Sequence, residues 1–116
     1  MRRVTAVVDP DDAIRVAAVA LGDAEDGAVV AVDGEKVAGV LTARHLLRAV
    51  ADGLDPLSTG IVDVMSPAPT TIPRRATLAD AEVLVRYLGV DELVVVEGGR
   101  AIGIVRATDV REATRS

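Results

Sequence analysis

The chain has 116 residues, half of them apolar, and 13 basic against 18 acidic side chains give it a formal charge of −5. This length suits one compact assembly and leaves little room for a catalytic domain beside a regulatory one. With no Cys and a single His, the sequence excludes a disulfide framework, a thiol nucleophile and a Cys- or His-rich metal site. Tyr87 is the only aromatic residue and the net charge is acidic, which argues against nucleic acid as a partner.

The amino-terminal segment leads into the first predicted helix. It has no apolar run long enough for a signal peptide or a membrane span, so we expect a cytoplasmic protein. Asp9 followed by Pro10 is typical of an N-cap and a first helical residue, and Gly22 is a stop signal. The pattern therefore predicts a helix over residues 10–21.

The composition of this helix bears on assembly. From Ala13 to Leu21 only Arg15 is polar, so the predicted helix is apolar nearly all round, which is more than one core face requires. Four of its residues are alanines, which permit close helix approach. We therefore expect the excess apolar surface to be covered by a second copy of the chain in a homodimer.

The rest of the first half is predicted to form a hairpin and a helix. Two short apolar runs, residues 28–32 and 37–41, flank a glycine-containing turn and predict a β-hairpin. A second helix is predicted over residues 43–52. Residues 54–66 form the connector, with turn-forming residues between 55 and 60.

The second half has the same order of signals. Thr77 and Asp80 form a near capping box, with Asp in place of Glu, at the start of a helix that Gly89 ends. The predicted elements are an extended piece at 70–72, a helix at 78–88, strands at 93–96 and 101–105, and a helix from 107 to the C terminus.

The two halves are an internal repeat. A shift of 64 residues without a gap places residues 3–49 on residues 67–113, and the turns at Gly34 and Gly98 fall in register, each followed five residues later by another glycine. Each half is thus a strand, a helix, two strands and a helix, an α+β unit too small to close a core alone. We expect the halves to pack face to face, with the domain division 1–53, connector 54–66 and 67–116.

The repeated motifs resemble those of the cystathionine beta-synthase (CBS) domain pair, also called a Bateman module. The resemblance covers residues 4 to about 114. It implies tandem β-α-β-β-α repeats with pseudo-twofold symmetry, binding of an adenosine-containing ligand such as AMP, ADP, ATP or S-adenosylmethionine, dimerisation, and no catalysis. The segments that carry it are Gly39-Val40-Leu41-Thr42-Ala43-Arg44-His45, Asp63-Val64-Met65-Ser66-Pro67, Thr77-Leu78-Ala79-Asp80-Ala81 and Gly103-Ile104-Val105-Arg106-Ala107-Thr108-Asp109.

The family's ligand motif is a glycine, two apolar residues, Thr or Ser, two variable residues and Asp. In the family the hydroxyl and the helix N-terminal amides face a phosphate, and the carboxylate binds both ribose hydroxyls. In this chain the motif is divided between the repeats. The first keeps Thr42 but has His45 in the Asp position, whereas the second keeps Asp109 but has Arg106 in the hydroxyl position.

By this resemblance the second repeat holds the better site. Asp109 would bind the ribose, and Arg106 would give phosphates a charged hydrogen bond. The alternative is that Asp109 only complements the helix dipole, capped by Thr108, and that Arg106 is solvated. The other residues that the resemblance places at this site are Thr70, Thr71 and Ile72 as its border and Val94 or Val105 beside the base.

In the first repeat each motif residue also has a purely structural interpretation. Thr42 is a good N-cap for the helix that follows, and that role alone explains it. His45 either donates a hydrogen bond to a ribose, which makes binding pH-dependent near its unperturbed pKa of about 6.5, or is a surface helix residue.

We therefore expect a stand-alone regulatory module that binds an adenosine-containing ligand in the cleft between the repeats and acts in trans on a separate protein effector. The adenosine compound is a ligand; no cofactor and no metal are expected. The alternative is a structural dimerisation module without a nucleotide. An enzyme is disfavoured, because the sequence has no activated nucleophile and no pair of acid and base residues at a spacing typical of an active site.

Overall fold

A computed structural model describes residues 6–24 and 27–115. The described chain divides into two compact units, residues 6–68 (the first unit) and residues 69–115 (the second unit). Each unit has its own sheet and its own buried apolar cluster. The predicted α+β fold with two similar halves is confirmed.

The first unit is a mixed four-stranded sheet with two helices. The sheet order is β1-β2-β3-β4; β1 runs parallel to β2, and the other neighbours are antiparallel. The elements are β1 (Val7–Val8), α1 (Ile14–Asp23), β2 (Ala28–Asp33), β3 (Lys36–Thr42), α2 (Ala43–Ala51), a 3₁₀ turn (Ile61–Asp63) and β4 (Ser66–Pro67).

The second unit is a three-stranded sheet with two helices. The sheet order is β5-β6-β7, with β5 parallel to β6 and β6 antiparallel to β7. The elements are β5 (Thr71–Pro73), α3 (Leu78–Leu88), β6 (Glu92–Glu97), β7 (Arg100–Arg106) and α4 (Ala107–Thr114).

The repeat extends to strand register. Val7 pairs with Val30 in the first sheet, and Thr71 and Val94, which lie 64 residues further along, pair in the second. Both hairpins also shift register at the same point, after Ala31 in the first unit and 64 residues later in the second. Because a register slip would move every apolar side chain to the other face, the shared bulge shows that both halves use one hairpin design.

Helices and sheet bury a separate apolar cluster in each unit. In both, the cluster joins the first helix and the second helix to the central hairpin, so that each helix contributes its apolar stripe to one core. The buried residues are Val8, Ile14, Ala17, Val29, Ala31, Leu41, Ala49 and Ile61 in the first unit, and Ile72, Ala81, Val85, Leu93, Val95, Ala107 and Val110 in the second.

The start of α1 corrects the sequence analysis. The helix begins at Ile14 and not at Pro10, and its N-cap Ala13 makes no side-chain capping hydrogen bond. Asp9 instead accepts the backbone N–H of Asp11 at 2.8 Å in a turn that precedes the helix. The end is also later than predicted, since Gly22 lies inside the helix and Asp23 is its last residue.

A distant segment explains the late start of α1. The backbone N–H groups of Ile14 and Arg15 donate to the carbonyl oxygens of Thr59 and Pro56, at 2.9 and 3.1 Å. The first N–H groups of a helix have no partner within the helix. Here the connector supplies those partners, so no side-chain cap is needed and the local signal at Asp9 is overridden.

The start and end of α3 are as predicted. Thr77 N–H donates to the Asp80 carboxylate at 3.0 Å, and Asp80 N–H donates to the Thr77 hydroxyl at 3.1 Å, which completes the capping box. Gly89 ends the helix with φ of 65°, a left-handed conformation that favours glycine.

Gly39 lies where β3 and β4 of the first unit approach each other closely. It lies in β3 opposite Pro67 of β4. A Cβ atom at this position would stand 2.7 Å from the Ser66 carbonyl oxygen and would collide with the Met65 side chain. The backbone of β4 therefore fits against β3 only because residue 39 has no side chain.

We predict that Gly39→Ala lowers the free energy of unfolding by about 2 kcal/mol, because the added methyl group overpacks a site bounded by backbone. Denaturant unfolding measures the change. Gly22→Ala is the matched control: a Cβ there meets nothing within 4 Å, and alanine in a helix should raise stability by about 0.5 kcal/mol. Equal effects at the two positions would contradict the packing described for β3 and β4.

Candidate functional site

In the first unit the ligand-motif residues Thr42 and His45 cap α2. Thr42 ends β3, is only 5% exposed and is the N-cap of α2. The Nδ1 atom of His45, the third residue of the helix, lies 2.9 Å from both the backbone nitrogen and the hydroxyl oxygen of Thr42. The pair is a capping box in which His takes the place of the usual Glu or Gln.

The partners of the His45 ring assign its tautomer. Thr42 N–H donates to Nδ1, so Nδ1 has no proton and Nε2 carries the hydrogen of the neutral ring. Nε2 then donates to the hydroxyl oxygen of Ser66, at 2.8 Å. Both ring nitrogens are therefore engaged, and His45 connects the start of α2 to β4.

His45 borders a cavity of about 380 Å³ in the first unit. Burial of the ring lowers the pKa of His45 below its ordinary value of 6.5, and the charges of Arg44 and Arg48 lower it further. The neutral ring that the hydrogen bonds require is thus also the form favoured at neutral pH. The charged residues that line the same cavity are Arg44, Arg48, Asp52 and Asp63.

In the second unit the same positions are used differently. Arg106 ends β7 and is the N-cap of α4, without a side-chain capping hydrogen bond. Arg106 is half-buried and lies opposite Glu92 in the ladder between β6 and β7. Asp109 is the third residue of α4 and is exposed. Within residues 6–24 and 27–115 its carboxylate takes part in no hydrogen bond or ion pair.

The strand residues predicted for the second site lie together on β5 and β6. The carbonyl oxygen of Thr70 accepts the backbone N–H of Val94 at 2.9 Å, and Thr71 pairs with Val94 in the parallel ladder. Val94 is fully buried and Ile72 nearly so, whereas Thr71 is exposed. Their roles in binding a ligand remain predictions.

An apolar cavity of about 210 Å³ lies between this sheet and α3. Ile72 and Val105 line it together with Leu78 and Ala81. Asp109 is not among its lining residues. Of the residues predicted for the second site, only Ile72 and Val105 line this cavity.

Ser66 is the residue that the sequence analysis missed. It lies in the Asp63–Pro67 motif, but its hydroxyl binds a side chain 21 residues earlier in the chain. No spacing rule in the sequence indicates such a contact. The spacing of Thr42 and His45 is that of a capping box. The sequence alone did not identify the box, because the third helical residue is usually Glu or Gln and not His.

Residues 6–24 and 27–115 contain no group of three or more His, Cys, Asp or Glu side chains placed to hold a metal ion. None of their helices is both long and apolar enough to span a bilayer.

The sequence is similar to proteins of one family. The CBS domain family model matches residues 1–52 and 61–116. The CBS domain-containing protein CBSCBSPB3 of Arabidopsis thaliana is 36% identical over 77 residues, which are 66% of this chain but only 14% of that longer protein.

Solved structures share the fold. The CBS-domain containing protein ATU1752 from Agrobacterium tumefaciens is 31% identical, with a TM-score of 0.73 over 97% of this chain and 90% of its own. The CBS domain protein PAE2072 from Pyrobaculum aerophilum, solved as a complex with AMP, has a TM-score of 0.78 and 24% identity over 94% of this chain and 85% of its own. Since the family model matches both halves and nearly the whole chain, the protein belongs to the CBS domain family, with two CBS domains in tandem.

Proposed function

We propose that this chain is a regulatory module that binds an adenosine-containing ligand through its second CBS domain. The observation that carries the proposal is the carboxylate of Asp109. It lies exposed in the first turn of α4 and, within the described residues, makes no hydrogen bond or ion pair. It is therefore available to a ligand.

The chemistry of this position suits a nucleotide. A carboxylate accepts hydrogen bonds from both hydroxyls of a ribose, and a charged acceptor makes each bond stronger. The N-terminal amides of α4 provide partial positive charge in the same helical turn, where a phosphate would be stabilised, and the N-cap residue of this helix is the basic Arg106. An Arg in place of a hydroxyl favours ligands that carry more than one phosphate.

The first domain lacks an equivalent group. His45 occupies the Asp109 position of the repeat, and both of its ring nitrogens are already engaged, by Thr42 and Ser66. A ribose would have to break one of these bonds to bind there. We therefore propose one ligand per chain, bound by the second domain.

The ligand class rests on chemistry and on one structural relative. The protein PAE2072, which shares the fold, was solved in complex with AMP. This supports an adenosine compound as the first ligand to test for the present chain. Catalysis is not part of the proposal, because the chain has no Cys and its single His is engaged in helix capping. We propose that the module passes the ligand signal to an effector protein.

A homodimer is the second part of the proposal. In the first unit α1 and α2 expose large apolar side chains: Val19 is 60% exposed, and Leu47 and Val50 are each 69% exposed. The residues 64 positions later than Leu47 and Val50 are Arg111 and Thr114, which are polar. The exposed apolar side chains of α2 thus have polar counterparts on α4, whereas α3, like α1, also exposes apolar side chains, among them Val83. A second copy of the surface on α1 and α2 would cover it.

The same observations favour one alternative, a dimerisation module that binds no nucleotide. Neither domain has the complete ligand motif, and the most apolar exposed surface is on helices. The two functions differ in their response to ligand, which the following measurement decides.

We predict that one of AMP, ADP, ATP or S-adenosylmethionine raises the melting temperature, since a ligand at a hundred times its Kd adds about 2.7 kcal/mol of stability. Asp109→Ala should weaken binding about ten-fold, which is about 1.4 kcal/mol. Glu112→Ala, which removes an exposed carboxylate one turn further along α4, is the control and should leave Kd unchanged. No shift with any compound would favour the dimerisation module, and equal Kd values in both variants would place the ligand elsewhere.

We predict that Val50→Glu raises the dimer dissociation constant at least about ten-fold, because it places a charge in an apolar interface. Sedimentation equilibrium measures the constant. Thr114→Glu adds the same charge at the equivalent position of the second unit and should have little effect. A monomeric wild-type protein, or the same loss in both variants, would refute the interface on α1 and α2.

A further inference from the structure

We infer that the apolar cavity of about 210 Å³ in the second unit is a docking socket for a partner protein. The partner segment that binds there is extended and inserts one aliphatic side chain into the cavity. In the first unit the chain's own connector covers the equivalent position. This role does not depend on a nucleotide ligand, because Asp109 does not line the cavity.

In the first unit the connector packs against the start of α1. The N–H of Ile61 donates to the carbonyl oxygen of Asp12 at 2.8 Å, and the N–H of Ile14 donates to that of Thr59 at 2.9 Å. The side chain of Ile61 is 0% exposed and belongs to the buried cluster of this unit. The connector therefore pairs its backbone with the segment around the helix start and adds one aliphatic side chain to the core.

The cavity of the second unit is lined by the counterparts of that cluster. A shift of 64 residues converts five members of the first cluster into residues that line the cavity. Among the described residues of the second unit, the buried cluster contains no counterpart of Ile61. The cavity thus lies where the isoleucine of the connector lies in the first unit. The five pairs are Val8 and Ile72, Ile14 and Leu78, Ala17 and Ala81, Ala31 and Val95, and Leu41 and Val105.

The exposure of the first helical residue differs between the units in the same way. Ile14 begins α1 and is 4% exposed, whereas Leu78 begins α3 and is 46% exposed. Both are large aliphatic residues at equivalent positions of the repeat, and the connector covers only the first. A side chain that enters the cavity would remove the exposed surface of Leu78 from water, which is favourable.

Backbone groups beside the cavity can also pair with a docked segment. In the first unit the N–H groups of Ile14 and Arg15 donate to the connector. Their counterparts, the N–H groups of Leu78 and Ala79, make no hydrogen bond within residues 6–24 and 27–115. The capping box of α3 does not use them. The start of α3 therefore offers two donors where the start of α1 has two bonds to the connector.

The connector shows what kind of segment fits. It presents the carbonyl oxygens of Pro56 and Thr59 to a helix start and buries the aliphatic side chain of Ile61. A partner segment with these features would satisfy the two N–H groups of α3 and fill the cavity. Main-chain hydrogen bonds would then supply affinity, and the apolar pocket would select the side chain. The occupant is therefore an extended segment of a partner protein that carries Ile, Leu or Val.

A peptide with the sequence of residues 55–64 is the probe, titrated into the full chain and followed by NMR. We expect chemical-shift changes at the amides of Leu78 and Ala81. The amides of Ile14 and Ala17 should not change, because the attached connector has a high effective concentration and is not displaced. The same peptide with Ile61→Ala should bind at least about ten-fold more weakly, because it lacks the side chain that fills the cavity.

Ala81→Leu tests the cavity from the protein side. The larger side chain occupies the socket, so we expect it to weaken peptide binding at least about ten-fold without lowering the melting temperature. Ala17→Leu is the matched control at the equivalent position. There Ile61 already contributes to the core, so the added carbons overpack it and should lower the melting temperature by about 4 °C or more.

Four results would overturn the proposal. They are equal affinity for the Ile and Ala peptides, equal peptide affinity of the wild type and Ala81→Leu, and shift changes at Ile14 and Ala17 in place of Leu78 and Ala81. The fourth is no shift change with either peptide at about 1 mM. A fall in melting temperature as large in Ala81→Leu as in Ala17→Leu would also contradict it, because it would mean that the second unit has no space for the side chain.

Discussion

A side chain in the first turn of a helix can bind either the helix itself or a ligand, because its hydrogen-bonding atoms serve one set of partners at a time. This constraint separates the two halves of the chain. In the first half His45 binds Thr42 and Ser66, and in the second half Asp109 faces outward. The backbone repeats from one half to the other, whereas the third residue of the second helix is engaged in one half and exposed in the other.

The duplicated fold explains why this difference can arise without cost to the core. Each unit has its own sheet, hairpin bulge and buried cluster, in the same register. His45 and Asp109, which differ in their contacts, lie near the helix start and outside these clusters. One half can therefore serve as a structural element while the other keeps an exposed carboxylate.

Local signals in the sequence predicted the elements whose ends are fixed locally. The capping box of Thr77 and Asp80, the stop at Gly89 and both hairpins were identified within about one residue, because each depends on neighbours in the chain. The start of α1 was wrong by four residues, since its first N–H groups bind carbonyl oxygens of Pro56 and Thr59. Only the folded chain brings those groups together.

For the candidate site, the sequence indicated which residues to consider but not which contacts they make. The resemblance to the CBS family identified Thr42, His45, Arg106 and Asp109, yet it could not show that His45 is engaged by a hydroxyl 21 residues away. The sequence also could not show that Val94 is buried, because an apolar run such as that in β6 does not indicate which of its residues are enclosed.

The number of ligands bound per chain tests the account most directly. In a calorimetric titration of the full chain with the nucleotide that stabilises it most, we expect one ligand per chain. The accompanying NMR chemical-shift changes should centre on Arg106 and Asp109 and leave the Thr42 amide and the His45 ring unaffected. Two ligands per chain, or one whose shifts centre on Thr42 and His45, would contradict the assignment of the two halves to different roles.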